Sequence, residues 1–254
     1  MSVTLRRLVR AGLILVGRLL ARLLFRVTIE GRENAPRAPH NILVISNHFS
    51  WFDAPILSLL LPFPPAYLIA TEAQDQAWIR AFTTIFESIP IWRGQVDRKA
   101  LTTAVALLQA GGVVGIFPEG GVNPELADLV ASGQQIAELR GNMSRTNAQL
   151  MRAKTGVALL ATMSSAQIMP VALLGSQQLT ENLKHWRRTP VTIRIGPLFG
   201  PLTLDPTRKG QARRQQMDDL ADEMMKQVAA LFPPENRGYY ADKMTRWQDD
   251  KMAR

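Results

Sequence analysis

The sequence predicts an α/β domain, a mostly parallel central sheet flanked by helices, with an amphipathic helix at the N-terminus. Three observations predict it. Short apolar, β-branched runs alternate with longer helical stretches along most of the chain. At 254 residues, with 46% hydrophobic and 20% charged residues, the chain can bury one large core and does not resemble a disordered sequence. The positive charge is concentrated at the start: residues 1–32 hold Arg6, Arg7, Arg10, Arg18, Arg22, Arg26 and Arg32 against the single acid Glu30, most of the formal net charge of +9.

Taken in order, the first element is the N-terminal helix, assigned to residues 1–27. At 100° per residue Val16, Leu19, Leu20, Leu23 and Val27 gather on one face, while Arg18, Arg22 and Arg26 line the other. The longest charge-free run, Ala11 to Gly17, has seven residues against the roughly 20 needed to cross a bilayer, so a transmembrane span is not expected. A monotopic or peripheral helix at the membrane interface, on the cytoplasmic face, is the sharper reading, with arginines toward lipid phosphates and leucines below them. Two alternatives stand beside it: a helix that buries its leucines on the domain, and a removed targeting peptide, which Arg6-Arg7 suggests but for which no small-residue cleavage site follows.

Residues 28–254 then form one domain, without internal repeat or low-complexity linker. Strands are predicted over Asn41–Ser46, Ala66–Ala70, Ser88–Ile91, Gly112–Phe117, Gln167–Leu174 and Val191–Ile195. Helices are predicted over Ala54–Leu61, Gln76–Phe86, Lys99–Ala110, Asn147–Met163 and, at the C-terminus, Arg213–Leu231, which Pro233-Pro234 stops. Gly121 to Arg145 is longer than an ordinary connection and reads as an inserted segment, with Asn123 capping a helix from Pro124 to about Leu139.

Chemistry has few places to reside. No cysteine is present, which excludes a disulfide framework, a thiolate metal site and a Cys nucleophile, and the spacing of His and carboxylates suggests no metal. Of the three histidines, His48 directly follows the strand ending at Ser46, and the carboxyl ends of strands are where open α/β sheets bind ligands. Asp53, five residues on, can meet His48 only if the histidine lies in the loop and the aspartate in the first helical turn; it would then orient the imidazole as a base. The plainer reading is a helix start of the Ser50-x-x-Asp53 capping-box kind. Phe117-Pro118-Glu119-Gly120 follows another strand, so two strand ends face one crevice, with Glu119 able to accept from a hydroxyl-bearing substrate.

With these residues in view the sequence resembles the glycerolipid acyltransferase family typified by bacterial lysophosphatidic acid acyltransferases. Four blocks resemble the family's in order: Asn47-His48-Phe49-Ser50-Trp51-Phe52-Asp53, Gly94-Gln95-Val96-Asp97-Arg98, Phe117-Pro118-Glu119-Gly120 and Ile168-Met169-Pro170-Val171-Ala172. The flanks Ile29–Asn34, Lys154–Ala158 and Leu231–Tyr240 are similar too, so the resemblance spans roughly Val27 to Asp242. It departs inside the third block: the family continues with Thr-Arg-Ser, whereas Gly121-Val122-Asn123 stands here and a similar pattern returns at Ser144-Arg145-Thr146. Arg145 or Arg140 is therefore expected to come back to the crevice and supply the missing positive charge.

The resemblance implies direct transfer of a fatty acyl group from acyl-CoA or acyl carrier protein to a lipid hydroxyl, most naturally that of 1-acylglycerol-3-phosphate, giving phosphatidic acid. It implies His48 as base with Asp53 behind it, Arg98 on the phosphate with Arg93 as its understudy, and Glu119, Gly120, Arg145 and Lys154 about the substrate. The expected partners are a membrane lipid acceptor, the acyl donor and the membrane surface, with no cofactor beyond the donor and no nucleic acid. Another lyso-lipid or glycerol 3-phosphate as acceptor, and a non-catalytic lipid-binding protein, are the alternatives.

Overall fold

The computed structural model describes residues 3–92, 97–122, 144–145 and 147–252, without the side chains of residues 3–10, 72, 75, 246 and 248–252. In chain order the elements are α1 (Val3–Leu24), β1 (Phe25–Glu30), β2 (Ile42–Ser46), α2 (Asp53–Leu60), β3 (Ala66–Ala70), α3 (Ala77–Ile85), β4 (Ile89–Ile91), α4 (Arg98–Gln109), β5 (Val113–Ile116), α5 (Gly156–Ser164), β6 (Gln167–Leu174), α6 (Leu179–Lys184), β7 (Thr189–Ile195), α7 (Gly210–Ala229) and α8 (Ala241–Met252).

Seven strands form one sheet in the order β1-β7-β6-β2-β5-β3-β4. Every neighbouring pair is parallel except β6·β7, as the alternation of strands and helices predicts. The central strand explains its own sequence: Leu43 and Ile45 join the core under α4, α5 and α7, while Ile42 and Val44 join the core under α1, α2 and α3. Buried on both faces, β2 reads as a continuous apolar run, and each such side chain contributes about 1.5–3 kcal/mol. The centre of the sheet therefore ends at Ser46, two residues before His48. Because β2 pairs with β5 as far as Ile45 and Ile116, the residues that follow the two strands are neighbours.

Several expected elements are displaced, each for a visible reason. The N-terminal helix stops at Leu24, and Val27 lies in β1 rather than on its apolar face. The sequence carries the signal for this, since Phe25, Val27 and Ile29 alternate with polar residues at the period of an edge strand. The leucines of α1 from Leu13 onward do not bury against the domain. Instead Gly17 packs on the Leu59 side chain, Arg18 Nε donates to the Leu59 carbonyl at 2.9 Å and Ala21 is buried, so Leu19, Leu20 and Leu23 point outward. Among the described residues no helix is long and apolar enough to cross a membrane.

The helix expected over Asn147–Met163 begins only at Gly156. Its expected first turns are drawn off by partners elsewhere: Leu150 N–H donates to the Asn236 carbonyl, Tyr239 N–H to the Leu150 carbonyl, Lys154 N–H to the Pro118 carbonyl, and Ala153 N–H to the Tyr240 hydroxyl. The short α6 and the C-terminal α8 were not expected, and β7 starts two residues before the expected Val191. The helix expected over 124–139 lies outside the described residues.

Candidate active site

The site is built where β2 and β5 end. After Ser46 the chain leaves the sheet, and Asn47 keeps it registered: its side-chain amide donates to the Leu173 carbonyl and accepts from the Leu173 N–H, both at 2.8 Å. A fully buried amide thus extends the β2·β6 pairing by one residue and fixes the start of the loop that carries His48. His48 lies in that loop and Asp53 opens α2, the one arrangement in which the two can meet.

His48 Nδ1 and Asp53 Oδ2 are 3.0 Å apart. The same oxygen accepts from the backbone N–H groups of Phe49, at 2.6 Å, and Ser50, at 2.8 Å. The bond to Ser50 resembles the backward half of a capping box, but α2 starts at Asp53 itself with Phe52 as N-cap, so the carboxylate ties the turn before the helix and does not cap it. Asp53 is fully buried while the His48 side chain keeps 11% exposure. A carboxylate held by three donors cannot swing away, so it fixes the imidazole's rotamer and its tautomer. With Nδ1 donating to Asp53, the lone pair resides on Nε2.

The ring of His48 is also held from its face. It stacks on Phe117 with centroids 4.1 Å apart, and Phe117 stacks on Tyr67 at 5.0 Å, both pairs within 12° of parallel. Tyr67 lies fully buried, burial pushes its phenol well above the ordinary range, and among the described residues its hydroxyl has no hydrogen-bond partner. Sequence reasoning passed over Tyr67 and the ring of Phe117. The available signal was Gly115, a glycine inside a strand, which marks a close approach: a Cβ there would stand 2.4 Å from the Tyr67 ring. Gly115→Ala is therefore expected to push the whole stack, costing about 1–3 kcal/mol of stability and lowering kcat more than it raises KM. A melting curve and steady-state kinetics on the purified variant check this.

The second strand end supplies Glu119 and Gly120. Gly120 N–H donates to the Phe117 carbonyl at 3.1 Å, and Gly120 adopts φ +81°, a backbone that a side chain would strain. The tight turn tucks Glu119 inward, to 1% exposure. Burial pushes its carboxyl up to about 8, while the Arg145 guanidinium, and after it the His48 backbone N–H, hold it from rising further.

Arg145 does return to the crevice, but not with its charge available to a ligand. Its Nη2 donates to Glu119 Oε2 and to the Gly121 carbonyl, Nε to the Val122 carbonyl and Nη1 to the Gln149 carbonyl. Four of its five N–H groups are thus held by the Glu119 turn and the Gln149 carbonyl, and we propose that the guanidinium braces that turn instead of meeting the acceptor's phosphate. Lys154 is the cation beside that turn whose head is exposed; its N–H donates to the Pro118 carbonyl and its stem covers Gly120. Arg98 is the exposed first residue of α4, in a turn tied by Asp97, whose carboxylate accepts from the N–H groups of Trp92 and Ala100. Arg93 and Arg140 lie outside the described residues. Among the described residues no group of three or more His, Cys, Asp or Glu could hold a metal ion.

A curated 1-acyl-sn-glycerol-3-phosphate acyltransferase from Bacillus subtilis (strain 168) is 28% identical over 114 residues, 44% of this chain. The match spans only 57% of that relative's length. The crystal structure of the 1-acyl-sn-glycerophosphate (LPA) acyltransferase PlsC from Thermotoga maritima shares the fold, with a TM-score of 0.57 at 19% identity over 90% of this chain and 83% of that one. The model of the family described as Acyltransferase matches residues 26–174, from β1 to the end of β6. That stretch is more than half of the chain and contains both strand ends that build the site, so the chain belongs to the acyltransferase family.

Proposed function

We propose that the protein transfers a fatty acyl group from a thioester, acyl-CoA or acyl carrier protein, to the hydroxyl of 1-acylglycerol-3-phosphate. The observation that carries this reading is the 3.0 Å contact between His48 Nδ1 and Asp53 Oδ2, which directs the basic Nε2 lone pair at an incoming hydroxyl. Nε2 takes the hydroxyl proton as the oxygen attacks the thioester carbonyl. The tetrahedral adduct then collapses, the C–S bond breaks, and the thiolate recovers the proton from His48, leaving an ester and a free thiol. No covalent enzyme intermediate is required.

Acceptor recognition is assigned to the cations around the crevice. Lys154 reaches past Gly120, and Arg98 follows β4, which runs parallel to β3 and so ends at the same edge of the sheet as β2 and β5. The outward leucines of α1 support docking on the bilayer in which acceptor and product reside.

The test offers the purified protein acyl-CoA and acyl carrier protein donors with a panel of lyso-lipids and glycerol 3-phosphate in mixed micelles, following thiol release and product mass. Acylation of lysophosphatidic acid is expected, and Lys154→Ala should raise its KM about tenfold, the worth of one charged hydrogen bond, with kcat little changed. Preference for a lyso-lipid without a terminal phosphate would overturn the acceptor assignment. Absence of acylation with every donor would overturn the activity.

A further inference from the structure

Resting on the membrane reading of α1, we infer that the turn after α6 is a second lipid anchor, in which Trp186 enters an anionic bilayer beside the leucines of α1 and sets the active-site edge of the sheet against the leaflet.

The turn is built in a way that folding alone does not favour. Trp186 N–H donates to the Leu183 carbonyl at 3.1 Å and Arg187 N–H to the Asn182 carbonyl at 2.9 Å, the two bonds of a Schellman helix ending. The residue between them must be left-handed, and glycine is the usual occupant. Here it is a tryptophan, at φ +53° and 95% exposed. A bulky indole carries backbone strain and exposes apolar surface at the same position, and both are costs to the folded chain in water. Such strain is retained where it serves a site.

Its neighbours indicate what covers it. Arg188, the residue before β7, donates through Nη2 to the carbonyls of Arg22 at 2.5 Å and Phe25 at 2.6 Å, clamping the turn to the end of α1. Pairing of Phe25 with Thr189 fixes the same adjacency. The clamp therefore brings the last turn of α1, with exposed Leu20, Leu23 and Leu24, to the segment that carries exposed Leu183 and Trp186. The exposed cations Arg22, Arg26, Lys184 and Arg187 flank these apolar residues along the two clamped segments, and the acid of the α6 segment, Glu181, is paired with Lys184 and His185. Apolar side chains ringed by cations complement an anionic phospholipid surface.

Topology gives the anchor its purpose. β7 runs antiparallel to β6, and β1 follows β7, so both strands start at the edge where β2, β5 and β6 finish. The anchor is at the His48 and Glu119 edge. Docking there brings the base to the depth at which a lyso-lipid presents its hydroxyl.

The chain has no cysteine, so single-site labelling is direct. Trp186→Cys, Leu20→Cys and, on the far face, Arg213→Cys each receive an environment-sensitive fluorophore and are mixed with phosphatidylcholine/phosphatidylglycerol vesicles carrying nitroxide lipids. Quenching at 186 and 20 but not at 213 is expected. Trp186→Gly should hold or raise Tm, since the left-handed site suits glycine, yet lower vesicle affinity about tenfold. A label at 186 that stays in water while that at 20 is quenched overturns the second anchor and leaves the α1 reading standing. Quenching at neither, without cosedimentation, removes both. Shielding of the 186 label that grows with protein concentration in the absence of vesicles would assign the surface to a second copy of this chain, and overturns the anchor too.

Discussion

His48→Ala is expected to lower kcat about 10³-fold, within the range that a positioned general base supplies, while KM for the acyl donor moves little. The fold should survive. The His48 side chain belongs to neither core cluster, and the two backbone bonds that hold the turn, from Phe49 and Ser50 to Asp53 Oδ2, do not involve its ring. Asp53→Asn probes the same step from behind. An amide can offer its oxygen or its NH₂ to Nδ1, and in the second case the imidazole is turned to the tautomer whose Nε2 carries the proton, leaving no base toward the acceptor. Its expected loss is of similar order, about 10²–10⁴-fold. Asp53→Ala is the weaker experiment, because it also strips the acceptor from two backbone donors and so mixes chemistry with stability. Thiol release with saturating donor, beside a melting curve for each variant, separates the two. Activity in His48→Ala within tenfold of the parent would remove the base from the mechanism.

How much of this was legible in the sequence differs from place to place. β2, β3 and β6 were read almost to the residue, because each is a mainly apolar run punctuated by polar residues, proline or glycine, and β2 is buried throughout. His48 and Asp53 were legible for a local reason: they are five residues apart, and a strand end followed by a helix start fixes how five residues can lie. Arg145 was expected at the crevice as a charge for the acceptor, without sight of its partners. Its four acceptors belong to Glu119, Gly121, Val122 and Gln149, and only tertiary structure says that these surround it. The same holds for α1. Periodicity finds its apolar face but leaves open whether that face meets lipid or the domain; Gly17, Arg18 and Ala21, packing toward α2 and the sheet, make the domain contact instead. The segment 147–155 misled because its local pattern is helical while the C-terminal residues Asn236 to Tyr240 claim its backbone groups.

Above pH 8, where Glu119 is ionised, Arg145→Ala is expected to cost about 3–5 kcal/mol, the range for removing one member of a buried ion pair, and to lower Tm by about 10 °C for a chain of this size. Four interactions are lost together from a side chain only 4% exposed, and Glu119 is left buried without its counter-charge. Arg145→Lys restores little, since one ammonium cannot span a carboxylate and three carbonyls that a planar fork reaches at once. pH separates this account from generic loss of packing. Burial raises the Glu119 carboxyl from its ordinary value of 4.5 to about 8. Between those values the folded chain holds a proton that the unfolded chain has released, so the contribution to stability is full below about 4.5 and is lost as pH rises to about 8. Removing Arg145 removes what holds the carboxyl down, so in the variant the loss continues to higher pH. Urea denaturation should therefore find the deficit of Arg145→Ala larger at pH 9 than at pH 6, whereas Glu119→Gln, which cannot titrate, should flatten the profile across the same interval. An Arg145 that served to bind the acceptor's phosphate would behave in the opposite way, with unchanged melting, no pH-dependent deficit and a raised KM for the acceptor alone. The guanidinium's geometry favours the first pattern, because four of its five N–H groups are committed to Glu119, Gly121, Val122 and Gln149 and would have to abandon buried partners to reach a ligand.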